Sequence, residues 1–197
     1  VVRALGKIYD AGHIEKGEKP VHWCQDCGSA LAEAEVEYKD KTSKSIDVSF
    51  EADKESISKL KDIFNTNKPE SISFVIWTTT PWTIPSNVAV CINAELDYSL
   101  INVDDTHVVI ASEMIDECME RWGKVGTEIS KVPGKLISDI QLLHPFLDRK
   151  SVLLHGDHVT TETGTGCVHT APAHGVDDHL ICKKNNIRPI KAMNSLG

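Results

Sequence analysis

Two segments of the chain concentrate side chains able to handle a small polar ligand. Trp77 to Asn87 reads WTTTPWTIPSN, which puts four threonines, two tryptophans and two prolines into eleven residues. It follows directly on the apolar run Ser71 to Ile76, which reads as a strand. Pro81 and Pro85 have no N–H for a ladder, so the strand cannot continue and the segment must bend away from its sheet. A stiff, bent, hydroxyl-rich segment suits the wall of a polar ligand site better than a connection. The second segment, Gly164 to His179, reads GTGCVHTAPAHGVDDH. Its first two glycines allow a bend or a close backbone approach. A helix beginning near Gly175 would put Asp177 and Asp178 in its first turn, where the dipole favours the carboxylate and lowers its pKa. Such a carboxylate can pair with a ligand ammonium group, or it can simply stabilise the helix start.

Other chemistries find less support. His169, His174 and His179 are spaced by five, which does not share a helical face, and Pro172 interrupts them; no H-E-x-x-H is present. Cys24-Gln-Asp-Cys27 is half of a zinc ribbon or a redox pair, yet structural zinc needs four ligands and no second C-x-x-C occurs. His22 lies too close in sequence to complete such a site, and Cys167 and Cys182 are single. A tight turn with two free thiols is the simpler reading, and a zinc completed from elsewhere in a longer chain stays open. No G-x-S-x-G, P-loop or G-x-G-x-x-G is present, since Gly164-Thr-Gly166 lacks the third glycine. Hydrolysis here would therefore use a bound water.

The elements that must position these segments are short. The 197 residues, 41% hydrophobic and 25% charged, suffice for one domain with a real core. Residues 1–11 carry a helical stripe of Val1, Val2, Leu5, Ile8 and Tyr9 closed by Gly12. Residues 20–28 read as a loop or knuckle, and 34–38 and 45–50 as strands. A helix is expected over 53–64, another from Ser112 to about Trp122, and a last one over 176–185. Further strands are expected at 88–92, 98–103, 107–111, 128–132, 151–154 and 166–169. Short strands with interleaved helices indicate an α+β domain, built as a small closed or nearly closed β-barrel with peripheral helices.

The net charge of −8 argues against a surface that grips nucleic acid everywhere. Lys183, Lys184, Arg188 and Lys191 form either a local basic patch or a solvated helix face. No apolar run approaches about 18 residues, so no membrane span is expected. The six cysteines are irregularly spaced, which fits reduced thiols and a cytoplasmic home. The start lacks Met and an apolar leader, and the end is Ser-Leu-Gly, as in a segment of a longer chain.

WTTTPWTIPSN followed about eighty residues later by GTGCVHTAPAHGVDDH resembles the editing domain (connective polypeptide 1, CP1) inserted into bacterial-type class I isoleucyl-tRNA synthetases. PVHWCQDCGSALAEAEVEY resembles the entry into that insert, and HPFLDR (144–149) and GDHVT (156–160) fit in order. The related valyl and leucyl enzymes run Thr-Thr-Arg-Pro where this chain has Thr79-Thr80-Pro81-Trp82, which favours the isoleucine family. Lys41-Thr-Ser-Lys-Ser45 resembles an ATP-site loop but stands upstream of the threonine segment, so it reads as a surface turn.

The resemblance implies one editing domain over 1–197, with 1–30 and 187–197 as junctions toward a catalytic domain. It implies no cofactor and no metal, and as partners the rest of the synthetase, the tRNA(Ile) 3′ end carrying valine, and valyl-adenosine-type small molecules. Valine differs from isoleucine by one methylene, worth only about 1–3 kcal/mol in an apolar pocket, and isoleucyl-tRNA synthetases are themselves the standard illustration of that limit. By resemblance, Thr78, Thr79, Thr80 and Thr83 would hydrogen-bond the terminal adenosine, the ester and a water, between walls of Trp77 and Trp82. Asn87 would position the ribose or ester, Asp178 would hold the ammonium, and His169 would leave no room for isoleucine. His174 would join the substrate site, with Ala171 and Pro172 as a rigid floor. Thr79, Thr80, His169 and Asp178 are the expected catalytic set. The alternatives are a domain that binds aminoacyl-adenosine or tRNA ends without turnover, and a valyl or leucyl editing domain.

Overall fold

The structure, a computed structural model, describes residues 1–14 and 16–194. The last three residues of the expected 187–197 junction lie outside that range. In chain order the elements are α1 (Val2–Asp10), β1 (Trp23–Cys24), β2 (Ser29–Ala30), β3 (Ile46–Glu51), α2 (Lys54–Ile63), β4 (Ser73–Thr78), β5 (Ala89–Ile92), β6 (Asp97–Val103) and β7 (Thr106–Ala111). They are followed by α3 (Ile115–Trp122), β8 (Gly126–Pro133), β9 (Gln141–Leu143), β10 (Lys150–His155), β11 (Val168–Thr170) and α4 (Val176–Lys184).

The expected α+β architecture is present, with the strands in two main sheets that do not close into a barrel. One runs β3-β4-β7-β6-β8 and the other β11-β5-β10-β9, with β1 and β2 as a separate hairpin. The two large sheets are linked by a single bridge, Ala52↔Leu142, so no ring closes among the described residues. Alternation along β5 explains how one short strand serves two cores. Val90 and Ile92 face the main core with Phe50, Phe74 and Ile76, whereas Ala89 and Cys91 face a smaller one beneath Ile181 and Cys182 of α4. Each such fully buried Ile or Phe contributes about 1.5–3 kcal/mol.

Two local expectations fail for identifiable reasons. Residues 34–38 form no strand: a 3-10 turn spans Glu33–Glu35, where the Ala32 N–H donates to Glu35 Oε2 at 2.7 Å. Ser112 does not cap α3; its hydroxyl lies 2.6 Å from that of Ser99, and a 3-10 turn over Ser112–Met114 precedes the helix. The stripe on α1 forms as a helix, with Gly12 at φ 77 beyond its end, but its apolar side chains are exposed.

Asp53 caps α2 through the Ser56 N–H at 2.9 Å, and Lys150 from β10 approaches it at 2.6 Å. The Lys150 hydrogen bond, then that of Ser56, holds this carboxyl down at about 2. A carboxyl depressed in the folded state contributes stability above its unfolded pKa and loses it as pH falls through the folded value. The Asp53→Asn chain should therefore be less stable than the parent at about pH 5 and nearly level with it at about pH 2. Urea midpoints at the two pH values check this, and a gap independent of pH would refute it.

Candidate active site

The threonine segment leaves β4 as expected, but as a 3-10 helix over Pro81–Ser86 with Pro81 in its first turn. Runs of this helix longer than three or four residues are uncommon, because the hydrogen-bond geometry is poor. Here a distant segment supports it. His144 Nε2 lies 2.9 Å from the Ile84 carbonyl, and Arg149 donates to the Pro85 carbonyl. His144 Nδ1 accepts the Leu147 N–H at 3.2 Å, so Nε2 carries the proton. HPFLDR thus ties down the C-terminal end of the wall.

Beside that wall lies a cavity of about 480 Å³, within the usual range for small-molecule sites. Trp77, Thr78, Thr80, Trp82 and Thr83 line one side, and Val168, His169, His174, Gly175 and Asp178 the other. A larger recess of about 630 Å³ opens between residues 18–25 and 189–194 and adjoins the first at His174. The smaller cavity holds the threonine hydroxyls together with Asp178, which makes it the candidate site.

The hydroxyls are unequal. Thr78 and Thr80 place their Oγ1 atoms 3.3 Å apart, with the Thr80 N–H donating to Thr78 Oγ1 at 3.1 Å. Thr83 donates its proton to the Thr80 carbonyl at 2.9 Å and meets His169 Nε2 at 2.8 Å. Thr79, expected in the catalytic set, is exposed and absent from the cavity lining.

His169, at the centre of β11, is 8% exposed. Burial, aided by His174 and His144, lowers its pKa to about 4, so the ring is neutral at physiological pH. His174, half-buried, meets Ser86 Oγ at 3.0 Å; burial lowers its pKa and Asp178 opposes that shift. Asn87 is 0% exposed, and its side chain contacts Ala89, His169 and Ser151. Its expected role is to position the ribose or ester, whereas here its side chain is spent on protein partners.

Asp178 stands in the first turn of α4, with Gly175 as N-cap. Its Oδ2 accepts the Ala171 N–H at 2.8 Å, and a Cβ on Gly175 would stand only 2.7 Å from that oxygen. The pKa is raised, not lowered: burial outweighs the Ala171 hydrogen bond and the helix start. Among the described residues no lysine or arginine pairs with it. Asp177 is exposed and lines a separate recess with His158 and Lys184. Ala171 is buried and contributes backbone only, its carbonyl closing the turn to His174, while Pro172 faces the larger recess. Neither forms a floor for the smaller cavity.

The glycines of Gly164-Thr-Gly166 serve the fold. Gly164 (φ 94) packs on Trp77, and Gly166 (φ 72) approaches Ala111. Cys24 and Cys27 sit on a knuckle between β1 and β2, the Cys27 N–H pointing at Cys24 Sγ from 3.3 Å. Among the described residues no cluster of three His, Cys, Asp or Glu side chains could hold a metal. No helix among them is long and apolar enough to cross a membrane. Ser86, Ser151, His144 and Arg149 were not assigned roles from sequence, since single buried polar residues leave no pattern.

The sequence model described as tRNA synthetases class I (I, L, M and V) matches residues 1–187, and the chain belongs to that family. Its relatives include the isoleucine–tRNA ligase of Thioalkalivibrio sulfidiphilus, 51% identical over 91% of this chain and 19% of that protein. That of Pseudoalteromonas atlantica is 47% identical over 100% of this chain and 22% of that protein. The chain thus spans about a fifth of these relatives' length. Among solved structures, GlLeuRS-CP1 has a TM-score of 0.60 at 14% identity, covering 74% of this chain and 65% of that one. The P. falciparum cytosolic leucyl-tRNA synthetase editing domain gives 0.55 at 14% identity, covering 73% and 67%. These likenesses establish a shared fold.

Proposed function

We propose that the chain is the editing domain of an isoleucine-type synthetase, hydrolysing the ester that joins valine to the terminal ribose of tRNA(Ile). The observation that carries this reading is Asp178: a half-buried carboxylate without a protein cation, facing threonine hydroxyls across a cavity bounded by a neutral histidine. An aminoacyl ester supplies the missing cation as its free ammonium. The isoleucine–tRNA ligase relatives and the fold shared with leucyl editing domains support the assignment.

Asp178 holds the ammonium and so fixes the ester carbonyl. Thr78 and Thr80, their hydroxyls 3.3 Å apart, orient the attacking water and the adenosine. Water adds to the carbonyl, the ribose oxygen leaves with a proton, and free valine and deacylated tRNA result. Rate comes from positioning and from donors aimed at the developing oxyanion, not from a protein nucleophile. His169 acts as a wall: its neutral ring occupies the space that isoleucine's extra methylene would need. Trp82, 59% exposed, stands at the mouth, where the nucleoside enters. Residues 1–30 and 187–194 lead toward the remainder of the synthetase, the domain's partner together with the tRNA. A cytoplasmic setting accords with the six free thiols.

Shrinking the wall should relax selection. The full-length His169→Ala enzyme is expected to hydrolyse Ile-tRNA(Ile) nearly as well as Val-tRNA(Ile), erasing the roughly 10–200-fold that one methylene carries. Deacylation of the two purified esters measures this. A wild-type enzyme that binds the valyl compound without releasing valine would instead identify a binding domain, and continued rejection of isoleucine by the variant would assign the wall elsewhere.

A further inference from the structure

Every hydrogen-bonding group on the Asn87 side chain has a protein partner. Nδ2 donates to the Ala89 carbonyl at 2.7 Å and faces His169 Nδ1 at 2.8 Å, while Oδ1 accepts the Ser151 hydroxyl at 2.7 Å. The amide cannot be flipped, because Oδ1 would then oppose the Ala89 carbonyl, acceptor against acceptor. That orientation decides the histidine. A nitrogen facing an N–H donor must offer a lone pair, so His169 Nδ1 is bare and the neutral ring carries its proton on Nε2. Nε2–H then donates to Thr83 Oγ1 at 2.8 Å, leaving the Thr83 proton for the Thr80 carbonyl at 2.9 Å. Ser151, Asn87, His169 and Thr83 thus form one directed chain from β10 to the cavity wall. Ser151 and Asn87 are both 0% exposed, so water cannot substitute for either.

We propose that Asn87 is a positioning residue for amino-acid selection: it locks the tautomer and plane of the His169 ring, and thereby the width of the cavity, without touching substrate. The selective role rests on the editing function proposed above; the ring assignment does not. When the Nδ1 partner is loosened, or turned from donor to acceptor, the ring must rotate or take the other tautomer; either change re-aims its contact with Thr83 and alters the room left for one more methylene.

Asn87→Asp separates this from direct substrate contact, because it keeps the shape and exchanges a donor for an acceptor. His169 Nδ1 must then carry a proton. In the 15N-labelled chain its resonance should move from the unprotonated to the protonated range, and the full-length variant should lose about tenfold of its preference for valyl over isoleucyl ester. Ser151→Ala, which leaves Oδ1 without its donor and so loosens the amide, should shift both readouts the same way by less, and it serves should the aspartate variant not fold. An unchanged His169 15N pattern in both variants overturns the proposal, and lost selection with that unchanged pattern would mean that Asn87 acts on substrate directly. A wild-type enzyme with no preference to lose would defeat the editing function, and with it the selective role; a failure confined to the variants defeats the inference alone.

Discussion

The Asp178→Asn variant should bind a non-hydrolysable valyl-adenosine analogue about 10–100-fold more weakly, the range for removing a charge-assisted hydrogen bond of about 1.5–3 kcal/mol. The substitution keeps a carbonyl oxygen for the Ala171 N–H, so the turn into α4 and the cavity's shape should survive. What is lost is the formal charge. An analogue without the amino group should bind parent and variant alike, and that comparison by calorimetry isolates the ammonium. Equal affinity of parent and variant for the full analogue would refute the assignment. The pH dependence has a definite sign. Burial raises the carboxyl above its ordinary range, so in the free protein the protonated form persists to higher pH. Analogue binding should therefore weaken on acidification sooner than for a solvent-exposed aspartate. Asp178→Ala should in addition cost about 1–3 kcal/mol of stability, because the Ala171 N–H loses its partner.

The largest effect on folding is expected at Gly166. A Cβ there would stand 2.2 Å from Ala111 Cβ, and the backbone has φ 72. Both neighbours are anchored: the Ala111 N–H donates to the Thr165 carbonyl at 2.8 Å, and the Tyr98 hydroxyl to the Gly166 carbonyl at 2.7 Å. A left-handed non-glycine residue costs about 1–2 kcal/mol and overpacking a further 1–3 kcal/mol or so. Gly166→Ala should thus lower stability by about 2–5 kcal/mol, a large share of a typical domain's total. Gly12→Ala provides the control, having φ 77 but nothing within 4 Å of the added carbon. Denaturant midpoints should fall much further for Gly166→Ala, and similar losses in the two would disprove the close-approach argument.

Much of this site is legible in the sequence because its two segments are locally unusual. Prolines after an apolar run place the bend after β4, and Gly-Val-Asp-Asp places the start of α4, since these are properties of neighbouring residues. The misreadings are all non-local. Periodicity identified short strands but carries no information on which edges join, so two sheets bridged at Ala52 and Leu142 could not be told from a barrel. The Asp178 shift was assigned from the helix terminus alone, whereas packing against β11 makes desolvation the larger effect. Thr79 and Thr80 are indistinguishable as letters, and only the folded path beyond β4 puts Thr80, not Thr79, in the cavity lining. For Asn87 the resemblance implies a contact to ribose or ester. Only the positions of Ser151 and His169 reveal it as an internal brace.

The fastening of the Pro81–Ser86 helix has a consequence for how such a site can diverge. Two carbonyls at its C-terminal end, those of Ile84 and Pro85, are held by His144 and Arg149, groups that lie outside the cavity lining. The path of the wall is therefore fixed from behind, through main-chain atoms that every amino acid possesses. Side chains at 80 and 82 can be exchanged without redrawing the backbone that carries them, whereas Thr78 also holds the Thr80 N–H. Selectivity can drift among descendants one side chain at a time, while the scaffold, tethered elsewhere, stays as inherited.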